Sequence, residues 1–248
     1  MPMRRLAISI GNTSLFAGVF SGRRLTNSFR LNASELVRLP GRVRGPIEAA
    51  VVGSVVPALT EDVLRLVRRT WAVEAMLLTA TSAHGLKIGY RRPRDLGADR
   101  VAAALGAREK FPGRDIVVVD CGTATTVTAL RGDGTICGGA ILPGVGLWTE
   151  MLAGRTAQLP RVAPARPRRA LGRSTREGIE AGVFFGHLGA MRETVGRVRR
   201  EAFDRGPAMV VGTGGQAARF RREKIFDALA PNLVLHGLRA FAAGGKDR

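Results

Sequence analysis

Cysteine is nearly absent from this chain of 248 residues. Only Cys121 and Cys137 occur, too few for a disulfide framework or a four-ligand zinc pattern. Aromatic residues are scarce too, at 5% with the single tyrosine Tyr90, and no RNA-binding aromatic motif can be assembled from them. No apolar run reaches the roughly 18 residues of a membrane-spanning helix. The opening Met1-Pro-Met-Arg-Arg has no small-residue cleavage site of a secretory leader. A cytoplasmic protein with no membrane partner is therefore expected. Also missing are the Gly-Lys-Ser or Gly-Lys-Thr of a P-loop and the Gly-X-Gly-X-X-Gly of a dinucleotide-binding turn. Acidic residues are few: 20 Asp and Glu stand against 39 Lys and Arg, a formal charge of +19. Clustered arginine would point to a polyanion partner. Here the arginines are scattered, with short clusters only at Arg91-Arg92-Pro93-Arg94, Arg166-Pro167-Arg168-Arg169 and Arg219 to Arg222. The charge reads as solvated surface, and nucleic acid is not an expected partner.

What is present is enough apolar sequence, 45%, to fill one large domain or two small ones. Arg5 to Gly11 reads as a buried strand, followed by Gly-Asn-Thr and a second strand that ends at Ser21-Gly22. A further strand runs from Ile47 to Val56 and stops at Pro57. Leu59, Val63, Leu66 and Val67 then recur at helical spacing. Ala98 to Lys110 reads as a helix with a small-residue face. Asp115 to Cys121 is a strand, followed by the turn Gly-Thr-Ala, the strand TTVTAL and a third strand after Arg131-Gly-Asp-Gly134. A Pro- and Arg-rich surface loop covers Pro160 to Arg169. Ser174 or Thr175 caps a long amphipathic helix reaching about Phe203. Near the end, Ala208 to Gly212 is another buried strand, leading through Gly212-Thr-Gly-Gly215 into a helix.

The segments LAISIGNTSLFAGVF and IVVVDCGTATTVTAL share one pattern of buried strand, glycine turn with threonine, and second strand. Aligning them sets Ser9 against Asp120 and Gly11 against Gly122, close to half the chain apart. A duplicated α/β domain follows, with halves at residues 1–114 and 115–248 and a ligand cleft between them. The glycine turns suit phosphate. Glycine permits close approach of several backbone N–H groups, and threonine adds a hydroxyl donor. Gly11-Asn12-Thr13, Gly122 to Thr126 and Gly212 to Gly215 all fit, the last at a helix start. Asp120, at the end of a buried strand, implies a cation or a protein donor for its charge. Asp99 lies at a helix entry, where it suits either the helix dipole or a general base beside the phosphate-binding Arg100.

With these residues on the page, the chain resembles the type III pantothenate kinases, nearly end to end. The resemblance rests on Ile10-Gly-Asn-Thr13, Ser54-Val-Val-Pro57, Tyr90 and Pro93 leading into Gly97-Ala-Asp-Arg100, and Asp120 to Thr126. It continues through Gly138 to Gly144, Thr156 to Pro160, Leu171 to Thr175, Gly212 to Gly215 and Leu233 to Leu238. The fold it implies is α/β, with duplicated ribonuclease H-like (actin-like ATPase) domains, as in the acetate kinase, sugar kinase and actin superfamily. The activity it implies is phosphorylation of pantothenate from ATP, the first step of coenzyme A synthesis, by a homodimer. It further implies Mg2+ with ATP and a monovalent cation, K+ or NH4+. By the same resemblance Asp99 is the base, and Tyr90, Gly97, Ala98, Asp99, Arg100 and Thr175 bind pantothenate. ATP falls to Ser9, Ile10, Gly11, Asn12, Thr13 and Ser14, to Thr123, and to Gly212, Gly214 and Gly215. Asp120 is the monovalent-cation ligand.

Three positions depart from the family pattern. Ser9 stands where the family has Asp, Thr128 where it often has a second Asp, and Arg92 where it has Asn. The first matters most, because that Asp helps to anchor the metal-nucleotide. A second function is thus kept open, a weakened homologue that binds nucleotide or pantothenate in a regulatory role.

Overall fold

A computed structural model describes residues 2–83, 85–203, 206 and 208–244. Residues 1 and 245–248, the outer ends of the two expected halves, lie outside the described residues. In chain order the elements are β1 (Arg4–Ile10), β2 (Ser14–Ser21), β3 (Arg24–Asn32), α1 (Leu39–Arg42), β4 (Ala49–Ser54), α2 (Pro57–Trp71), β5 (Ala75–Leu78), β6 (Lys87–Ile88) and α3 (Ala98–Lys110). They continue with β7 (Ile116–Cys121), β8 (Ala124–Leu130), β9 (Thr135–Pro143), α4 (Val145–Arg155), α5 (Thr175–Ala202), β10 (Met209–Thr213), β11 (Ala228–Leu229) and α6 (Leu233–Gly244).

The chain forms two compact units, each around its own sheet. The first sheet has the order β3-β2-β1-β4-β5, and the second has β6-β9-β8-β7-β10-β11, so that the run from β9 to β11 repeats the order of the first sheet with the short β6 added at one edge. In each, a central strand (β1 or β7) pairs antiparallel with the strand that follows it and parallel with the strand that returns after a helical excursion. The repeat read from LAISIGNTSLFAGVF and IVVVDCGTATTVTAL is thus a repeat of topology. Alternation explains the two faces of each central strand. Leu6, Ile8 and Ile10 enter one core with Val63 and Val67 of α2, while Val117, Val119 and Cys121 enter another with Leu188 and Met191 of α5.

The contacts do not divide the chain at a single point. Residues 132–136 and the described residues 232–244 group with the first unit, whereas the split read from sequence gives them to the second half. The physical reason is helix packing through glycine. A Cβ on Gly237 of α6 would lie 1.7 Å from the Ala102 carbonyl oxygen of α3, and one on Gly106 would lie 2.3 Å from that of Leu233. On its other side α6 sets Leu235 against Gly18 and Leu238 against Gly53. Buried Arg239 pairs with Glu109 of α3, which also holds Arg23 at 2.8 Å. The two-residue β6 pairs with Thr135 and Ile136.

Local signals set the helix ends. Pro57 occupies the first turn of α2, where its missing N–H costs nothing. Ser174 caps α5 by accepting the Glu177 N–H at 3.2 Å, and Glu177 reaches back to the Arg173 N–H at 2.7 Å. The stripe Ile179, Val183, Phe184, Leu188, Met191 and Val195 is buried, and Phe185 lies off it, 38% exposed. Among the described residues no helix is long and apolar enough to cross a membrane.

Candidate functional site

The first cluster lies at the start of α3, within the first unit. Gly97 is the N-cap residue and Asp99 is in the first turn. The Asp99 carboxylate accepts the Arg100 N–H at 2.8 Å. It also folds over Gly97, where a Cβ would come within 2.5 Å of its Oδ1. Any side chain at position 97 would displace the carboxylate. Arg100 is buried, and its guanidinium donates to the Tyr90 hydroxyl while lying 5.5 Å from the centre of that ring. Tyr90, Gly97, Asp99 and Arg100 therefore form one hydrogen-bonded group. A cavity of about 680 Å³ opens beside it, lined by Val55, Leu64, Leu77, Leu96, Gly97 and Ala98 among others. That is ample for a small organic acid.

The first glycine turn is at the end of β1. Gly11 donates to the Ser14 carbonyl, and Val55 donates to that of Ile10, both at 3.0 Å. The segment Ser54-Val-Val-Pro57 is itself a tight turn. Val56 donates to the Ser54 hydroxyl at 3.0 Å, and Thr60 donates to the same oxygen at 2.7 Å. Asn12 and Thr13 are exposed, and Ser9, Gly11 and Ser14 are half-buried.

The second and third turns meet in the second unit. Gly122 donates to the Ala124 carbonyl at 3.0 Å, and Gln216 donates to that of Cys121 at 2.9 Å, which ties the turn after β10 to the turn after β7. Thr123 is exposed. Gly214 has φ +86°, and a Cβ there would stand 2.3 Å from Asp120 Oδ1. Its glycine is required twice over, by backbone and by space. Gly215 is exposed. Gly212 is inside β10, and a Cβ on it would meet Phe226 at 2.7 Å, so packing accounts for this glycine. The expected helix after Gly215 is a seven-residue 3₁₀ helix, Ala217–Glu223. Thr175 is the exposed first residue of α5.

Asp120 is half-buried at the rim of the sheet, not enclosed as its strand suggested. Its register partners are Thr126 on β8 and Thr213 on β10, so three oxygen-bearing side chains share one row. Such hard donors suit an alkali or alkaline-earth ion. The matching row in the first sheet is Phe16, Ser9 and Gly53, which offers one hydroxyl. Next to Asp120, burial first and the Asp120 charge second push the Cys121 thiol up to about 12. It stays protonated and is not a nucleophile.

Sequence reasoning missed two supports of the second turn. Gly144 donates to the Thr123 carbonyl at 3.0 Å, and a Cβ there would lie 2.2 Å from that oxygen. The run Gly138 to Gly144 carried this signal without revealing what it touches. His187, fully buried on α5, has its Nε2 3.2 Å from the Thr125 hydroxyl. Burial holds its pKa below the usual histidine range.

Comparison with known proteins follows the same lines. A family model described as type III pantothenate kinase matches residues 5–197. A relative from Francisella tularensis, type III pantothenate kinase 1, is 38% identical over 247 residues, covering 94% of this chain and 96% of its own. The type III pantothenate kinase of Legionella pneumophila is 35% identical over 249 residues, with 96% and 97% covered. Among solved structures, a Baf family transcriptional activator from Campylobacter jejuni superposes with TM-score 0.66 at 19% identity, covering 98% of this chain and all of its own. The activator of 2-hydroxyisocaproyl-CoA dehydratase from Clostridium difficile, with bound ADPNP, gives 0.54 at 16% identity, with 98% and 96% covered. At such identities these two speak for fold alone, that of the actin-like ATPases and sugar kinases.

Proposed function

The chain belongs to the type III pantothenate kinase family, and on that premise we propose how its residues divide the work of phosphorylating pantothenate from ATP. The reaction yields 4'-phosphopantothenate and opens coenzyme A biosynthesis. The observation that carries the reading is the group Tyr90–Gly97–Asp99–Arg100 beside an organic-acid-sized cavity.

Asp99 takes the proton of the pantothenate hydroxyl as that oxygen attacks the γ-phosphorus, and ADP departs with the electrons of the broken bond. Its carboxylate is already aimed by Gly97 and the Arg100 N–H. Arg100, locked by Tyr90, supplies fixed positive charge to substrate carboxylate or phosphate without needing to reorganise. Tyr90, Ala98 and Thr175 contact pantothenate. The turns Ser9 to Ser14, Thr123 and Gly214-Gly215 offer N–H groups and hydroxyls to the phosphates. Magnesium bound with ATP would supply charge neutralisation beside these groups, which with positioning is most of what phosphoryl transfer asks for. The row Asp120, Thr126 and Thr213 would hold the monovalent cation, K+ or NH4+.

Assembly as a homodimer is part of the same reading. Met151 and Leu147 of α4, Phe185 of α5 and Ile141 of β9 are exposed, and α4 packs on α5. Apolar groups on adjoining elements fit a second copy of the chain better than water.

The test is ADP release by purified protein with ATP, magnesium and potassium, with and without pantothenate. Release should depend on pantothenate and fall about 10²–10⁴-fold in Asp99→Asn with nucleotide affinity retained. Parent-level turnover in that variant would remove Asp99 from the role of base.

A further inference from the structure

We propose that the first unit carries a second anion site, built from Arg4, Arg42 and Arg44 and suited to a small phosphate-bearing anion such as pyrophosphate or a phosphate monoester. The three arginines come from three segments: the start of β1, the end of α1 and the turn before β4. Together they line one cavity of about 340 Å³, whose other walls are Val19, Thr26 and Asn27.

Three arginines line this one cavity. Some arginines of this chain have carboxylate partners: Arg23 and Arg239 share Glu109, Arg166 pairs with Glu223, and Arg176 with Glu180. Among the described residues, none of the three guanidiniums at this cavity has an ion pair. The Arg4 Nε is moreover shielded from solvent with no hydrogen-bond partner, a condition that proteins rarely leave uncompensated. The carboxylate nearest in sequence, Glu48, is exposed, and its Oε1 is engaged by the Arg4 backbone N–H at 2.8 Å.

The surrounding loop is already shaped. Arg4 Nη2 donates to the Arg44 carbonyl, Glu48 N–H donates to the Arg4 carbonyl at 3.0 Å, and Asn27 Nδ2 donates to the Arg42 carbonyl at 3.2 Å. Gly45 adopts φ +76°, and a Cβ there would sit 3.2 Å from Arg4 Nη1. Guanidinium forks brought together in a fixed concave frame match the oxygens of phosphate in geometry as well as charge. The cavity's volume is at the lower end of small-molecule sites, which favours a compact anion over a nucleic acid strand. Arg4 opens β1 and the Gly11–Ser14 turn follows its far end, about 20 Å along a strand of this length. The site is therefore separate from the phosphate turns and does not rest on the kinase reading.

Calorimetric titration of the full chain with inorganic pyrophosphate tests this, at about 0.15 M salt and with ADP saturating. One saturable event is expected, weakened at least tenfold in Arg42→Gln/Arg44→Gln. Both side chains are exposed. Arg42 also lies over the Phe29 ring, so Arg44→Gln alone serves as the variant free of any packing change and should weaken binding several-fold. Absence of binding, equal affinity in the variants, or binding seen only at low salt, as scattered surface charge would give, would each overturn the proposal.

Discussion

Ser9 and Asp120 hold the same place in two copies of one hairpin, and the difference between them is a full negative charge. Asp120 is flanked by Thr126 and Thr213, whereas Ser9 is flanked by Phe16 and Gly53. Magnesium is commonly held by one or two carboxylates with phosphate and several waters. A serine hydroxyl can bond a metal-bound water but adds no charge. Ser9→Asp should therefore raise turnover, most clearly when magnesium is limiting; a titration of rate against magnesium for both forms checks this, and equal or lower rates in the variant would refute it. His187 gives a pH prediction. Its folded pKa lies below the unfolded value because burial disfavours the charged ring. The unfolded chain then binds more protons in the window below the usual histidine value of about 6.5, so stability is present above that pH and is lost as pH falls through the folded pKa. Urea midpoints at about pH 7.5 and 5.5 should drop further in the parent than in His187→Gln, with His236 contributing alike to both. Equal drops would show that His187 is not the titrating group. Spacing alone left Asp99 open between helix-dipole partner and base; the structure adds that its carboxylate accepts the Arg100 N–H and that Arg100 holds Tyr90. The partial exposure of Asp120, the packing role of Gly212 and the contact of Gly144 with the Thr123 carbonyl were not legible in the sequence, since each depends on which strand or loop lies alongside.

Helix α6 is the element whose place the sequence could not disclose. Leu233 to Leu238 entered the reading only through the family resemblance, and the helix's partners Gly18, Gly53 and Gly106 are distant along the chain. Glycine at 106 and 237 lets α3 and α6 approach backbone to backbone. Gly237→Ala would drive a methyl group into the Ala102 carbonyl, and the helices must part. Overpacking of this kind costs about 1–3 kcal/mol, sometimes more. A lowered melting temperature in calorimetry is expected, and an unchanged one would contradict the packing described. Other elements were readable from local pattern alone. The Ser174 cap and the stripe from Ile179 to Val195 located α5, and the valine runs located β7 and β10. The segment after Gly215 was read as a helix, and it is one, of the 3₁₀ type. Its Ala217 and Phe220 are buried in the second core.

For the molecule as a whole, duplication was legible because two hairpins repeat one pattern, and the common strand order carries that repeat through both units. The division of the chain was less so, because a polypeptide can return to its first unit with no mark in composition. Dimerisation is a prediction at this scale: the exposed Ile141, Leu147, Met151 and Phe185 call for light scattering to give twice the chain mass at micromolar concentration. A monomer mass would refute it and would leave those apolar groups without a partner. The most direct test of the central claim is ³¹P NMR of the products formed from ATP and pantothenate, with magnesium and potassium present. The account predicts a phosphate monoester at the 4' oxygen of pantothenate, formed in step with ADP. ATP left intact by folded protein, or ADP formed with no phosphate on pantothenate, would contradict it.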